Sequence, residues 1–227
     1  MSSASFAGSR KEPPSADLPA ASSQALVVSA ATSASSAGSL ALFERNEKSG
    51  RWCQLGNPIP VSLGRNGLAL AKEKSAPAGI PLKIEGDGKT PIGTFPLERV
   101  FGRHGAFATK LPYLALARTT EAVDDPASRY YNRIVDRHDV GKPDWKSSEK
   151  MFRDDSLYDL GVVVGYNTQP VQPGKGSCIF LHIWRAPGSP TSGCVAMARP
   201  DLERIVGWLD PAARPVIDVR MIRGNAY

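Results

Sequence analysis

The sequence predicts a mainly β protein, built from many short strands with few helices. Two observations carry that expectation. Glycine (21) and proline (19) are plentiful and recur at short intervals instead of clustering, which is the spacing of turns between short strands. The apolar runs between them are brief, and only one stretch near the end repeats with helical period. Hydrophobic content of 41% with 22% charged residues is that of a soluble globular chain able to bury a core. A length of 227 residues fits one domain of ordinary size with a loose end.

Taken in order, residues 1–23 are rich in Ser, Ala and Pro and nearly devoid of large apolar side chains. They are expected to form a disordered segment or linker ahead of a single domain over 24–227. They also lack the roughly 7–15-residue apolar core of a signal peptide. Strands are expected at 25–29, 40–45, 51–55 and 59–63, the last closed by the turn pair Asn66-Gly67. Residues 85–95 (EGDGKTPIGTF) form a sharply bent Gly-rich loop running into a strand over 93–97. Gly88-Lys89-Thr90 is not a phosphate loop, because the GxxxxGK[ST] spacing is missing and no helix follows. A strand at 111–116 precedes an enlarged, polar, turn-rich region over 118–160, read as a functional loop or lid with a short helix within 147–160. Residues 161–164 and 178–184 are apolar enough for central strands. Leu202, Ile205, Val206 and Leu209 fall at i, i+3, i+4 and i+7, so an amphipathic helix starts near Arg199-Pro200 and stops at Asp210-Pro211. Residues 215–221 form the closing strand.

Charge and cysteine usage narrow the function. A net charge of +6 and a pI near 9.3 suit anionic surroundings, such as a membrane surface or an acidic wall polymer. Nucleic acid is not an expected partner, since the basic residues are dispersed and no recognition-helix or zinc-finger spacing occurs. No stretch approaches the ~20 apolar residues of a membrane span. Cys53, Cys178 and Cys194 form neither a disulfide framework nor, with the three histidines, a metal-ligand spacing. Asp124, Asp125, Asp136, Asp139 and His138 likewise lack ligand spacing and read as a solvated loop. No metal and no cofactor is expected.

The chemistry concentrates in 177–197, SCIFLHIWRAPGSPTSGCVAM. A strand carrying His182 is followed by a Pro/Gly-rich loop and Thr191-Ser192-Gly193-Cys194, so a hairpin-like return would bring thiol and imidazole together. Cys178 would share a strand face with His182 but lie roughly 13 Å from it, too far for a hydrogen bond. Cys194 is therefore the candidate nucleophile and Cys178 a core residue. Gly193 permits the tight backbone that exposes a thiol, and the N–H groups of Gly193 and Cys194 can face a developing oxyanion. His182 would take the thiol proton and return it to the leaving amine. No Asp or Asn stands out to orient the imidazole. A backbone carbonyl can do so, and that of Ile183 is the nearest.

His182 followed by Thr191-Ser192-Gly193-Cys194-Val195-Ala196-Met197 resembles the signature of the L,D-transpeptidase (YkuD-like) catalytic domain: a His, a variable loop, Ser/Thr-x-Gly-Cys, a branched apolar residue, Arg and an apolar residue. Residues 86–95 are similar to the same family's TPxGxF segment, and the terminal helix and strand follow the family's order. The likeness spans 24–219, and 131–136 (YNRIVD) and 177–182 (SCIFLH) resemble a subgroup with an enlarged middle. The resemblance implies a compact β-sandwich or barrel with a few short helices. It implies a cysteine acyltransferase acting on peptidoglycan stem peptides, with a thioester on Cys194 passed to an amine acceptor. Water as acceptor would make it an L,D-carboxypeptidase or amidase, and a module that kept only the fold would bind cell wall without catalysis. The implied setting is the periplasm or cell wall, and the expected state a monomer. Three departures are visible: Ala196 stands where the family usually has Arg, Ser192 where many members have His, and the His-to-Cys loop is short. Arg185 is the candidate to supply the missing guanidinium, with Thr191 and Ser192 as further substrate-binding candidates.

Overall fold

The computed structural model describes residues 18–72 and 79–222, so the expectation for the N-terminal segment lies, over 1–17, outside the described residues. Leu18 is already buried, packed in a small cluster with Val27, Phe43 and Trp52, so the folded chain begins ahead of Gln24.

The molecule is mainly β, with one α-helix among the described residues. β1 (Gln24–Ala30), β2 (Ala37–Arg45) and β3 (Trp52–Ser62) form an antiparallel meander. The two strands expected at 51–55 and 59–63 are one. Gly56-Asn57-Pro58 reads as a turn, but Gly56 takes a left-handed φ of 69° and the β2–β3 register shifts between Leu40 and Leu42. The segment is thus absorbed as a bulge that bends the strand without ending it. β4 (Leu68–Leu70) pairs parallel with the start of β5 (Thr90–Gly102), and β6 (Tyr113–Ala115) pairs parallel with its end.

After β6 the chain leaves the main sheet. β7 (Thr120–Val123), β8 (Arg133–Asp136) and β9 (Ser148–Lys150) form a separate three-stranded antiparallel sheet with β7 in the middle. The enlarged region is therefore a small sheet, not an open loop. The helix expected within 147–160 is absent. Asp155 accepts from the Leu157 N–H at 3.3 Å and from the Arg153 guanidinium at 2.8 and 2.7 Å, and such local bonds compete with helix formation.

The chain rejoins the main sheet at β10 (Leu160–Val164), β11 (Phe180–Ile183) and β12 (Val195–Met197), then forms α1 (Arg199–Trp208) and β13 (Val216–Met221). The ten-stranded sheet runs β10-β11-β12-β3-β2-β1-β13-β5-β4, with β6 on β5. An additional β10–β5 pairing, Gly161 opposite Phe101, closes it on itself. Closure removes the open edges of the ring. The interior is a contiguous apolar core that includes Leu26, Leu40, Val100, Leu181 and Ile217. Helix α1 buries Leu202, Ile205 and Val206, as their spacing requires. Each such side chain contributes about 1.5–3 kcal/mol of burial. The helix packs on β10 and β11, the strand that carries His182.

Candidate active site

β11 and β12 lie side by side and parallel, with His182 opposite Ala196. This replaces the hairpin-like return. Parallel neighbours need a connection that crosses back, and residues 184–194 supply it by running along the loop after β3. Thr191 N–H donates to Leu63 O, and Arg65 N–H donates to Thr191 O, each at 2.8 Å. Alternation along a strand puts Cys194, two residues before Ala196, on the same face as His182. Cys178 is not on the strand at all. It sits before β11 with a left-handed φ of 54°, its N–H held by Asn132 Oδ1 at 2.8 Å.

The Thr191–Cys194 turn is built by one hydroxyl. Thr191 Oγ1 accepts from the Gly193 N–H at 3.0 Å and donates to Cys194 O at 2.7 Å. Gly193 has φ 143°, and a Cβ there would stand 2.9 Å from the Lys89 carbonyl oxygen. Only glycine fits. Lys89 belongs to the 85–95 segment, so two motifs far apart in sequence meet at this turn. That segment is a scaffold. The buried Asp87 pairs with buried Lys83 at 2.6 Å and accepts from the Lys89 N–H at 2.9 Å, while Asn66 Nδ2 donates to Asp87 O at 2.8 Å.

Cys194 and His182 are both 7% exposed and line one cleft of about 300 Å³. Phe180 N–H donates to Cys194 Sγ at 3.4 Å, and the sulfur lies 3.5 Å from Cys178 O. His182 Nδ1 is 2.8 Å from Ile183 O. A carbonyl can only accept, so Nδ1 carries the proton and Nε2 is left as the basic nitrogen. The Tyr158 ring stands edge-on to the imidazole, centroids 5.4 Å apart. Burial pushes the Cys194 thiol up to about 12, with the Glu149 carboxylate adding to it. Burial likewise lowers His182 to about 4, against the opposing pull of its bond to Ile183 O. At neutral pH the resting pair is a neutral thiol beside a neutral imidazole.

Arg185, Thr191 and Ser192 line the same cleft. Arg185 is exposed and faces Asp155 Oδ2 at 3.7 Å. The Thr191 hydroxyl is used within the turn, and Ser192 Oγ accepts from Arg65 Nη1 at 2.7 Å. Among the cleft residues not singled out from the sequence are Arg65, Glu149, Arg153 and Tyr158. The last three come from the enlarged region, where no periodicity or motif marks them. A larger hollow of about 430 Å³ is lined by Tyr130, Asn132, Thr168 and Cys178, and by neither Cys194 nor His182. Two of the acidic side chains of the enlarged region, Asp125 and Asp136, are used locally. Asp125 accepts the Ala127 and Lys146 amides, and Asp136 accepts His138 N–H and the Thr119 hydroxyl. Among the described residues no group of three His, Cys, Asp or Glu side chains could hold a metal ion, and no helix is long and apolar enough to cross a membrane.

A rolled β-sheet with an imidazole on one strand and a thiol in the turn that enters its parallel neighbour defines the class. The chain belongs to the L,D-transpeptidase catalytic domain family, YkuD, whose model matches residues 36–217. This family acts on peptidoglycan and is associated with the cell wall. No curated protein and no solved structure gave a match to the chain.

Proposed function

We propose that the protein is a cysteine acyltransferase that uses Cys194 and His182 on peptidoglycan stem peptides. The observation that supports it best is the pinned imidazole, whose Nδ1–H is held by Ile183 O in the cleft that also holds Cys194. Its free Nε2 takes the S–H proton as sulfur attacks the carbonyl of the third stem residue. Because both groups rest neutral, proton transfer accompanies attack; no stored ion pair precedes it. The imidazolium then gives the proton to the departing amine of D-alanine, leaving a thioester on Cys194. An acceptor amine loses its proton to His182 and attacks the thioester, and the thiol is restored. The Cys194 N–H is the backbone donor for the developing oxyanion. The Gly193 N–H would first have to leave the Thr191 hydroxyl. Such donors are worth about 10²–10³ in kcat. Arg185, which the sequence nominates for a substrate carboxylate, would have to leave Asp155 to serve. The periplasm or cell wall is the setting this reaction requires.

The test is intact-mass analysis after incubation with a tetrapeptide-stem muropeptide and, separately, with a carbapenem. The expected result is a covalent adduct on Cys194 that Cys194→Ala abolishes, together with dimeric muropeptide. Tripeptide stems without dimers would make water the acceptor and the enzyme a carboxypeptidase. Wall binding with no adduct from either reagent would overturn the enzymatic reading in favour of a binding module.

A further inference from the structure

The cleft holds one carboxylate that the proposed chemistry does not use. Glu149, on β9 of the three-stranded sheet, lines it together with Cys194 and His182. Its Oε2 accepts from the Tyr158 hydroxyl at 2.5 Å, and Tyr158 is the ring that stands edge-on to His182. Among the described residues no ion pair reaches Glu149, and its Oε1 has no protein donor. The cleft's cations are turned elsewhere. Arg153 grips Asp155 at 2.8 and 2.7 Å, Arg185 faces the same carboxylate, and Arg65 donates to Ser192. The charged groups that act on Glu149 are Arg153, which draws its carboxyl down, and Asp124 and Glu85, which push it up. Burial is the largest influence and also pushes it up. A half-buried carboxylate thus lines the cleft of the thiol with no ion-pair partner among the described residues.

We infer that Glu149 makes this cleft a receptor for a primary ammonium group beside Cys194, and that this cation is what the site selects in its substrate. Two features favour ammonium over guanidinium. Oε2 is already shared with Tyr158 and Oε1 is the oxygen with no donor, and one open oxygen suits a point donor better than a planar two-pronged fork that needs both oxygens free. The benefit extends to the reaction. The Glu149 charge opposes ionisation of the thiol, so a bound ammonium offsets that charge and makes sulfur easier to deprotonate while the ligand is in place. The cation identified is a primary amine in its protonated form. That it belongs to a stem peptide rests on the proposed function.

The experiment needs no peptidoglycan. Cys194 is modified with methyl methanethiosulfonate (neutral), its 2-aminoethyl analogue (cationic) and its 2-sulfonatoethyl analogue (anionic), and the rate at Cys194 is read by peptide mass mapping. Rates are normalised to free cysteine, in the wild type and in Glu149→Gln, which keeps an acceptor for Tyr158. The expected result is a cationic-to-neutral ratio about tenfold above that of free cysteine, falling at least fivefold in Glu149→Gln, with the anionic reagent gaining speed in the variant. A cationic-to-neutral ratio that Glu149→Gln leaves unchanged overturns the inference and reduces Glu149 to the hydrogen-bond partner of Tyr158. Failure of muropeptide acylation would instead overturn the proposed function and leave these ratios standing.

Discussion

The rolled sheet and the three-stranded insert are held together by different forces. The ring encloses one continuous apolar core, with Leu26, Val28, Leu40, Leu181 and Ile217 essentially inaccessible. The insert has only a small apolar cluster, Val123, Val140 and Trp145 with Tyr130 and Val135. Its centre is a buried charge. Glu121, on β7, is 0% exposed and accepts from Arg137 at 2.8 and 3.1 Å, Trp145 Nε1 at 2.7 Å, the Ser148 hydroxyl at 2.7 Å and Lys150. Burial pushes this carboxyl up, but the bonds from Arg137, Lys150, Ser148 and Trp145 overcome it and hold it well below the usual range. The site lies on the seam. Cys194 belongs to the cluster of Phe101, Met151, Tyr158, Cys178 and Phe180, which joins ring to insert. Thiol and base come from the ring, while Glu149, Arg153 and Tyr158 come from the insert. The ring thus carries the proposed chemistry, and the insert adds Glu149 and Arg153 to the charge around it.

That contrast can be broken first on the ring side. Leu26→Ala opens a cavity in the middle of β1 and should cost about 4 kcal/mol. The loss should show as a lower urea midpoint for the whole chain and be nearly insensitive to salt and to mild acid. Equal loss in the insert alone would contradict a single core.

Glu121→Ala should cost about 3 kcal/mol, since it removes several bonds to a charged acceptor and leaves the Trp145 N–H unpaired. This loss should be local, appearing as faster proteolysis within 118–160 before the ring unfolds. It should also depend on pH. The folded carboxyl titrates below its unfolded value of roughly 4.3. Its contribution is therefore full above that pH and fades as pH falls further. Hydrogen exchange of the insert at pH 3 against pH 7 measures this, and equal protection at both would refute the buried-charge account.

On the seam, the wild-type Cys194 rate with iodoacetamide should lie about a hundredfold or more below that of a free cysteine at pH 7. It should climb with pH and reach no plateau below pH 10, because thiolate appears only toward about 12. A plateau near neutrality would mean a stored thiolate–imidazolium pair. The smallest effect belongs to the exposed pair Lys110–Asp210, 2.6 Å apart. Lys110→Ala should shift stability by less than about 1 kcal/mol, and that only at low salt.

How legible each part was follows from how local its cause is. The helix over 199–208 could be read because its apolar side chains repeat with the period that buries one face. Strand β1 could be read because an apolar run too short for a helix favours a strand. The Thr191–Cys194 turn was legible because glycine beside cysteine is a local requirement. The bulge at Gly56 was not, because a Gly-Asn-Pro stretch fits a turn equally well until β2 is laid against it. Nor was the small sheet within 118–160, whose cohesion is a buried carboxylate contacted from residues 137, 145, 148 and 150.

By itself the sequence determined the mainly β class, the terminal helix, the family and the nomination of Cys194 with His182, because each rests on patterns and motifs that can be read locally along the chain. Only the tertiary structure decided that β11 and β12 run parallel and that β10 closes the sheet on β5. Only it placed the 85–95 segment behind Gly193 and set Glu149 of a separate sheet beside the thiol. Those outcomes depend on pairing and packing between distant segments, where burial changes what a side chain can do, and no local pattern records them.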